Sequence, residues 1–230
     1  MIWWRRLLDI ISPRHCVVCD RTLSPTEQSI CGVCMLHLPR TTYQFTPYDN
    51  AVSQLFWGLL PVERAAALFF YEPHSETARL LYQLKYNQRP DIGEDMGRVM
   101  AQEMQFARYF DDIDVLLPVP LSRKRYRQRG YNQSEMLARG ISDITGLPID
   151  TCSVSREHFR KSQTSLTRLE RRGNVEDIFR LRHPERLEGR HVLLIDDVCT
   201  TGATLMACGE AIRHVPGIRI RVLTLAYTKR

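Results

Sequence analysis

The chain has 230 residues, enough for one well-buried domain core and a small appendage. An apolar fraction of 43% and a mean hydropathy of −0.29 fit a soluble globular protein, and no apolar run approaches the ~20 residues that cross a bilayer. The net charge of +6, from 32 basic and 26 acidic residues, is too modest and too localised for a general nucleic-acid coat.

In chain order, Trp3, Trp4, Leu7, Leu8 and Ile11 fall at helical spacing and Pro13 stops the run. That predicts a short docking helix over 2–11 rather than a membrane anchor. Arg5, Arg6 and Asp9 interrupt the stretch and no small-residue cleavage site follows, so it makes a poor signal peptide and a cytoplasmic location is expected. Residues 1–40 therefore read as a short helix and a cysteine module, and 41–64 as a connecting segment mixing Pro, Thr and aromatics. The main domain is expected over 65–230. Its predicted elements are a strand at 66–71, a helix at 76–86 with Leu80, Leu81 and Leu84 inward, a helix at 92–109 and a strand at 115–119. A helix at 133–144, a weak helix at 168–174 and strands at 178–181 and 191–195 follow, then a helix at 203–213 and a closing strand at 218–227. Strands alternating with helices imply an α/β fold with a mainly parallel sheet covered on both faces.

Cys16/Cys19 and Cys31/Cys34 are two C-x-x-C pairs separated by eleven residues. In a cytosolic chain they favour metal over disulfide, and four thiolates make a closed, structural Zn²⁺ site in a small ribbon. His15 and His37 flank the pairs and read as incidental. Cys152 and Cys208 read as core residues, and Cys199 as a small apolar position.

The segment from His191 to Thr204 carries the most chemistry. An apolar strand, Val192–Ile195, ends in Asp196 and Asp197, and then Thr200, Thr201, Gly202, Ala203 and Thr204 form a turn that opens a helix. Ligands of open α/β sheets bind at the carboxyl ends of strands, and the N–H groups at a helix start suit a dianionic phosphate. Gly202 lets backbone come close, and the threonine hydroxyls add donors. The two acids would repel that phosphate, but they would accept hydrogen bonds from neighbouring ribose hydroxyls. Neither a G-x-x-x-x-G-K-[ST] loop nor a G-x-G-x-x-G after a strand is present.

Two basic stretches flank this loop in sequence. Residues 118–132 hold five basic residues and no acid, and 156–172 hold six basic residues and two acids, so together they carry +9 and leave −3 elsewhere. In the first, Arg123, Arg125, Arg127 and Arg129 are candidate pyrophosphate ligands, since guanidinium groups grip phosphate oxygens in pairs. A single-stranded nucleic-acid groove is the rival reading, with Tyr126 and Tyr131 as stacking platforms. Asn132 is a candidate helix N-cap with Glu135 in capping-box position. The second stretch reads equally as a closing lid or an exposed connection.

Val192–Thr204 matches the signature by which type I phosphoribosyltransferases bind phosphoribosyl pyrophosphate (PRPP): four apolar residues, two acids, two more residues, then T-T-G-x-T. Together with the two C-x-x-C pairs, L-K-Y at Leu84–Tyr86, V-P-L-x-x-x-R-x-x-x-R-G-Y-N-Q at Val119–Gln133 and Q-T-x-L-x-R-x-x-R-x-x-N at Gln163–Asn174, the chain resembles the ComF family of competence protein F and GntX-like proteins. The resemblance implies a zinc-ribbon N-terminus on a phosphoribosyltransferase-like body that takes PRPP or a related ribose phosphate with Mg²⁺. It also implies a link to DNA uptake and natural transformation, with single-stranded DNA and DNA-processing proteins as partners. Displacement of pyrophosphate at the anomeric carbon would use Asp196 or Asp197 to steady a positive ribose, with Mg²⁺ neutralising the leaving group. An active transferase, a nucleotide sensor and a docking module all remain open.

Overall fold

The computed structural model of the protein describes residues 13–158 and 177–229. The helices expected over 2–11 and 168–174 lie outside the described residues, as does most of the 156–172 stretch. In chain order the elements are α1 (Gly32–His37), β1 (Val62–Tyr71), α2 (Glu76–Tyr86), α3 (Pro90–Gln105), β2 (Val115–Pro118) and α4 (Arg123–Arg129). They continue with α5 (Gln133–Thr145), β3 (Val154–His158), β4 (Asp177–Leu181), β5 (His191–Cys199), α6 (Ala203–Ile212) and β6 (Arg219–Thr228). Among the described residues no helix is long and apolar enough to cross a membrane.

β1, β6, β5 and β2 pair in that order into a parallel sheet, as the alternation of strands and helices predicts. Period-two alternation sends the side chains of these strands to opposite faces. Leu116, Leu193, Ile195, Leu223 and Leu225 join Leu80, Leu84, Met96, Met100 and Leu137 under α2, α3 and α5. Val115, Leu117, Val192, Leu194 and Val222 face the other way, toward Leu205, Cys208 and Ile212 of α6. The strands are apolar on both sides because both faces are covered.

Several expectations shift once the chain is folded. The connecting segment runs along the outer edge of β1: Thr41 N–H donates to Leu68 O (3.0 Å), Phe70 N–H to Pro39 O (2.7 Å) and Ala65 N–H to Pro47 O (2.9 Å). Asn50 holds it there, its Nδ2 donating to Ala65 O and Thr46 O at 2.8 Å each, while Val52, Phe56 and Leu60 enter the second core. The segment thus shields a sheet edge that would otherwise stand open. The helix expected over 92–109 begins at Pro90, placed where its missing N–H costs nothing, and stops at Gln105. Tyr109 instead drops into the core and donates to Val222 O at 2.7 Å. β3 was not expected at all. It pairs antiparallel with β4 as a separate two-stranded unit.

α3 and α5 cross in close contact. A Cβ on Gly97 would sit 2.1 Å from Leu137 O, and one on Gly140 only 2.0 Å from Glu94 O, so glycine is required at both places. That crossing sets the position of the α5 N-terminus, which faces the site described next.

Candidate functional site

β5 runs further than expected, through both acids to Cys199, with Asp196 paired to Thr224 and Cys199 to Tyr227 of β6. The acids therefore sit inside a strand at its carboxyl end, held by ladder hydrogen bonds, rather than in the loop. Asp196 is buried; its Oδ1 accepts from Ser134 Oγ and from the Asp197 amide, both at 2.9 Å. Asp197 meets the Lys85 ammonium, Nζ to Oδ2, at 3.1 Å. Burial, and next the charge of Asp197, push the Asp196 carboxyl up to about 7, with Ser134, the Asp197 amide and Lys85 opposing.

After Cys199 the chain turns through Thr200 and Thr201 to Gly202, whose φ of +75° is the left-handed conformation that glycine adopts without strain. Gly202 is the N-cap of α6 and offers no side-chain acceptor of its own to the helix start. Thr201 Oγ1 accepts the Ala203 amide at 3.3 Å. Residues Val198–Leu205 and Asp196 line a small hollow of about 30 Å³ over this turn.

A larger cavity of about 190 Å³ opens beside it, with Asp196, Asp197, Thr200 and Thr204 on one wall. Lys85, Arg125, Arg129, Gln133, Ser134 and Arg156 supply the others. Of the four arginines expected to grip pyrophosphate, Arg125 and Arg129 line this cavity. The expected loop is in part a helix: R-K-R-Y-R-Q-R are good helix formers, Ser122 caps the start and Gly130, at φ +81°, ends it. Helical spacing puts Arg125 and Arg129 on one face, one turn apart, and turns Arg123 and Arg127 to another. Arg129 also donates to Gln133 Oε1 at 2.7 Å and lies over the Tyr86 ring.

Asn132 caps α5 as expected: Oδ1 accepts the Ser134 amide at 3.2 Å, while Nδ2 donates to Val119 O at 3.0 Å. The reciprocal half of a capping box is not made, because Glu135 pairs with Arg139 at 2.8 Å. Tyr131, read as a stacking platform, is buried with its hydroxyl donating to Leu84 O, so its ring is not offered to a base. Tyr126 is exposed. Lys85, Gln133, Ser134 and Arg156 were not named individually as ligand contacts, although Gln133 and Ser134 directly follow the first basic stretch, Arg156 opens the second one and Lys85 lies in the L-K-Y motif.

The four cysteines converge. All four Sγ atoms lie within 4.8 Å of one another, with Cys19 exposed and the others buried. Cys19 and Cys31 sulfurs stand 3.8 Å apart, and a tetrahedron with metal–sulfur bonds of about 2.3 Å has edges of about 3.8 Å. The cluster can hold a metal ion. Burial raises the Cys16 thiol, but hydrogen bonds from the amides of Cys19, Cys31 and Val18 outweigh it and bring the group down to about 7. His15 turns its ring to the Asp20 carbonyl, and neither His15 nor His37 joins the cluster. The module is anchored to α3: Ser29 donates to Asp95, and Arg40 spans Glu103 with contacts of 2.7–3.1 Å. Cys208 is a core residue whose thiol burial pushes up to about 12, and Cys199 is buried too. Cys152 is exposed, contrary to expectation, because Asp150 accepts the Cys152 and Ser153 amides (2.7 and 2.8 Å) and the resulting tight turn faces its side chain outward.

A family model of the phosphoribosyl transferase domain matches residues 113–230, just over half of the chain. The chain belongs to the phosphoribosyl transferase family. Every cavity-lining residue except Lys85 falls within the matched range 113–230. "DNA utilization protein YhgH" of Escherichia coli O157:H7 is 28% identical over 216 residues, which covers 93% of this chain and 90% of that protein. "Competence protein F" of Haemophilus influenzae is 28% identical over 151 residues, 64% of this chain and 66% of that one. "Competence protein ComFC" of Bacillus subtilis is 34% identical over 97 residues, 42% and 37% respectively. With these relatives the chain is a ComF-family phosphoribosyl transferase-like protein, as its motifs implied.

Proposed function

We propose that this family member binds PRPP with Mg²⁺ at the carboxyl end of β5. What carries the reading is one juxtaposition: two adjacent acids on β5, a glycine-capped helix start just beyond them, and arginines from α4 across a shared cavity. Asp196 and Asp197 accept the ribose hydroxyls, the Thr200–Thr204 turn takes the 5′-phosphate, and the α4 arginines take the pyrophosphate. Arg125 and Arg129 reach it directly, while Arg123 and Arg127 strengthen the field at the mouth. Bound Mg²⁺ would come with PRPP and would offset the charge of its pyrophosphate leaving group. If transfer to an acceptor follows, Asp196 or Asp197 steadies the positive charge on the ribose.

The four cysteines hold a structural Zn²⁺, which suits reduced thiols in the cytoplasm. The names of the relatives extend the reading to DNA uptake and use. A docking role toward single-stranded DNA is a second reading. Its support is the exposed Tyr82–Tyr86 pair, ring centroids 4.9 Å apart, with Arg129 stacked on Tyr86.

Calorimetric titration with Mg²⁺–PRPP tests the first reading. Asp196→Asn with Asp197→Asn is expected to weaken binding by about 100-fold or more, since two charged acceptors are lost, with zinc content unchanged. Equal affinities in wild type and double variant would defeat it. A pyrophosphate-release assay across purine, pyrimidine and pyridine bases then separates transferase from sensor.

A further inference from the structure

The cavity receives one cation from outside residues 113–230, the portion that the phosphoribosyl transferase model matches. Lys85 lies in the last turn of α2, far in sequence from both β5 and α4, and its side chain is 23% exposed. Leu80, Leu81 and Leu84 are buried in that helix, Leu81 one turn before Lys85 on the same side. The Tyr131 hydroxyl donates to Leu84 O, so the residue beside Lys85 is tied to the chain that enters α5. Lys85 is thus placed by packing rather than swinging free.

From there the ammonium reaches Asp197 at 3.1 Å and lines the same cavity as Arg125, Arg129 and Arg156. An ammonium has three N–H donors, and Asp197 occupies one. With Lys85 the cavity lining carries four cations, Lys85, Arg125, Arg129 and Arg156, beside the two acids Asp196 and Asp197. A ligand held by the acids through its hydroxyls would carry its anionic substituent toward those cations. An ammonium desolvated to this extent and fixed at one end by a carboxylate makes strong charge-assisted bonds to an anion.

We propose that Lys85 is a specificity residue for the pyrophosphate half of the ligand: it bridges Asp197 to a phosphate oxygen and so lets the site distinguish a pyrophosphorylated ribose from a plain ribose phosphate. The proposal rests on the PRPP reading above. It assigns to α2 a discriminating contact that the α4 arginines, on an exposed and solvated helix, supply less sharply.

The test is calorimetry on the full chain with three probes, Mg²⁺–PRPP, Mg²⁺–pyrophosphate and ribose 5-phosphate, in wild type, Lys85→Gln and Lys85→Arg. Lys85→Gln is expected to lose about 10- to 100-fold in affinity for PRPP and pyrophosphate, and less than about 2-fold for ribose 5-phosphate. Lys85→Arg keeps the charge and is expected to recover part of the loss. Equal losses for all three probes would mean that Lys85 acts only by orienting Asp197, and would overturn the proposal, as would no loss at all. Both of those outcomes leave the PRPP reading standing. A wild-type protein that binds pyrophosphate, with the loss in Lys85→Gln, but neither ribose ligand, would sink the PRPP reading and keep the Lys85 contact. A wild type that binds none of the three ends both.

Discussion

The two ends of the parallel sheet both bury charge, and they do so in opposite ways. At the amino ends of the strands, Glu63 of β1 accepts from Arg219 at 2.6 and 3.2 Å, lies 3.2 Å from His191 Nε2 and 3.8 Å from Arg221 Nε. Arg221 is fully buried and also donates to the carbonyls of Tyr109 (3.0 Å) and Asp111 (2.6 Å). At the carboxyl ends, two acids sit side by side on one strand with Lys85 as the nearest counter-charge, and further cations stand off across a cavity. Burial alone would raise Glu63, but Arg219, His191 and Arg221 pull it below the usual carboxylate range. At the other end burial and a like charge drive Asp196 up. One network finds its counter-charges inside the fold and in that sense is closed, though Arg221 Nε and both His191 ring nitrogens make no hydrogen bond among the described residues. Beyond Lys85, the other lacks such partners on the protein side of the cavity, and the proposed ligand, with both hydroxyls and phosphates, would supply them.

That contrast can be broken from the closed end first. Arg221→Met removes the charge that three acceptors share and strands the buried Tyr109 carbonyl, so a loss of about 3 kcal/mol is expected. Glu63→Gln leaves Arg219 and Arg221 without their shared carboxylate and is expected to lose about 2 kcal/mol, less because Glu63 is a third exposed. Urea midpoints measure both. Because Glu63 is held below its ordinary value near 4.5, the stability it contributes is present above that pH and disappears as pH falls through its native value. In neither variant should the folded fraction lose affinity for Mg²⁺–PRPP. A fall in that affinity comparable to the Asp196/Asp197 double variant would show that the two ends are not separate.

The parts of this design that could be read from sequence are the ones written locally. Asp196, Asp197 and Thr200–Gly202 are contiguous, because a strand end, a turn and a helix start follow one another in the chain. The four cysteines advertise themselves in the same manner, through spacing that a single ion dictates. Boundaries were harder: β5 continues through its acids to Cys199 because β6 offers partners as far as Tyr227, and no residue of β5 says so. β3, with the polar run V-S-R-E-H, forms because β4 lies opposite it. Lys85, Ser134 and Arg156 enter the cavity from three different elements, brought in by long-range packing such as the Gly97–Gly140 crossing. The four arginines of residues 123–129 looked equivalent as a string. Only the helical turn separates Arg125 and Arg129 from the other two.

The smallest effect is the sharpest probe of the open end. In the native chain Asp196 titrates at about 7 against an ordinary value of 3.8, burial being the larger cause and Asp197 the next. A native pKa above the unfolded one means that the native state holds the proton more tightly. The stability linked to this group is therefore fully present below about pH 3.8 and is lost as pH rises through about 7. Asp196→Asn cannot ionise, yet its side-chain oxygen can still accept from Ser134 and the residue-197 amide. The variant should match wild type in urea midpoint near pH 4 and exceed it by about 1–2 kcal/mol near pH 8, even as it loses ligand. A gap that stays constant with pH would mean that the acid pair imposes no strain on the empty site. A gap that opens with pH identifies the pair as a site kept electrostatically unsatisfied at some expense to the fold, which is what a ligand-completed network requires and what the closed network around Glu63 avoids.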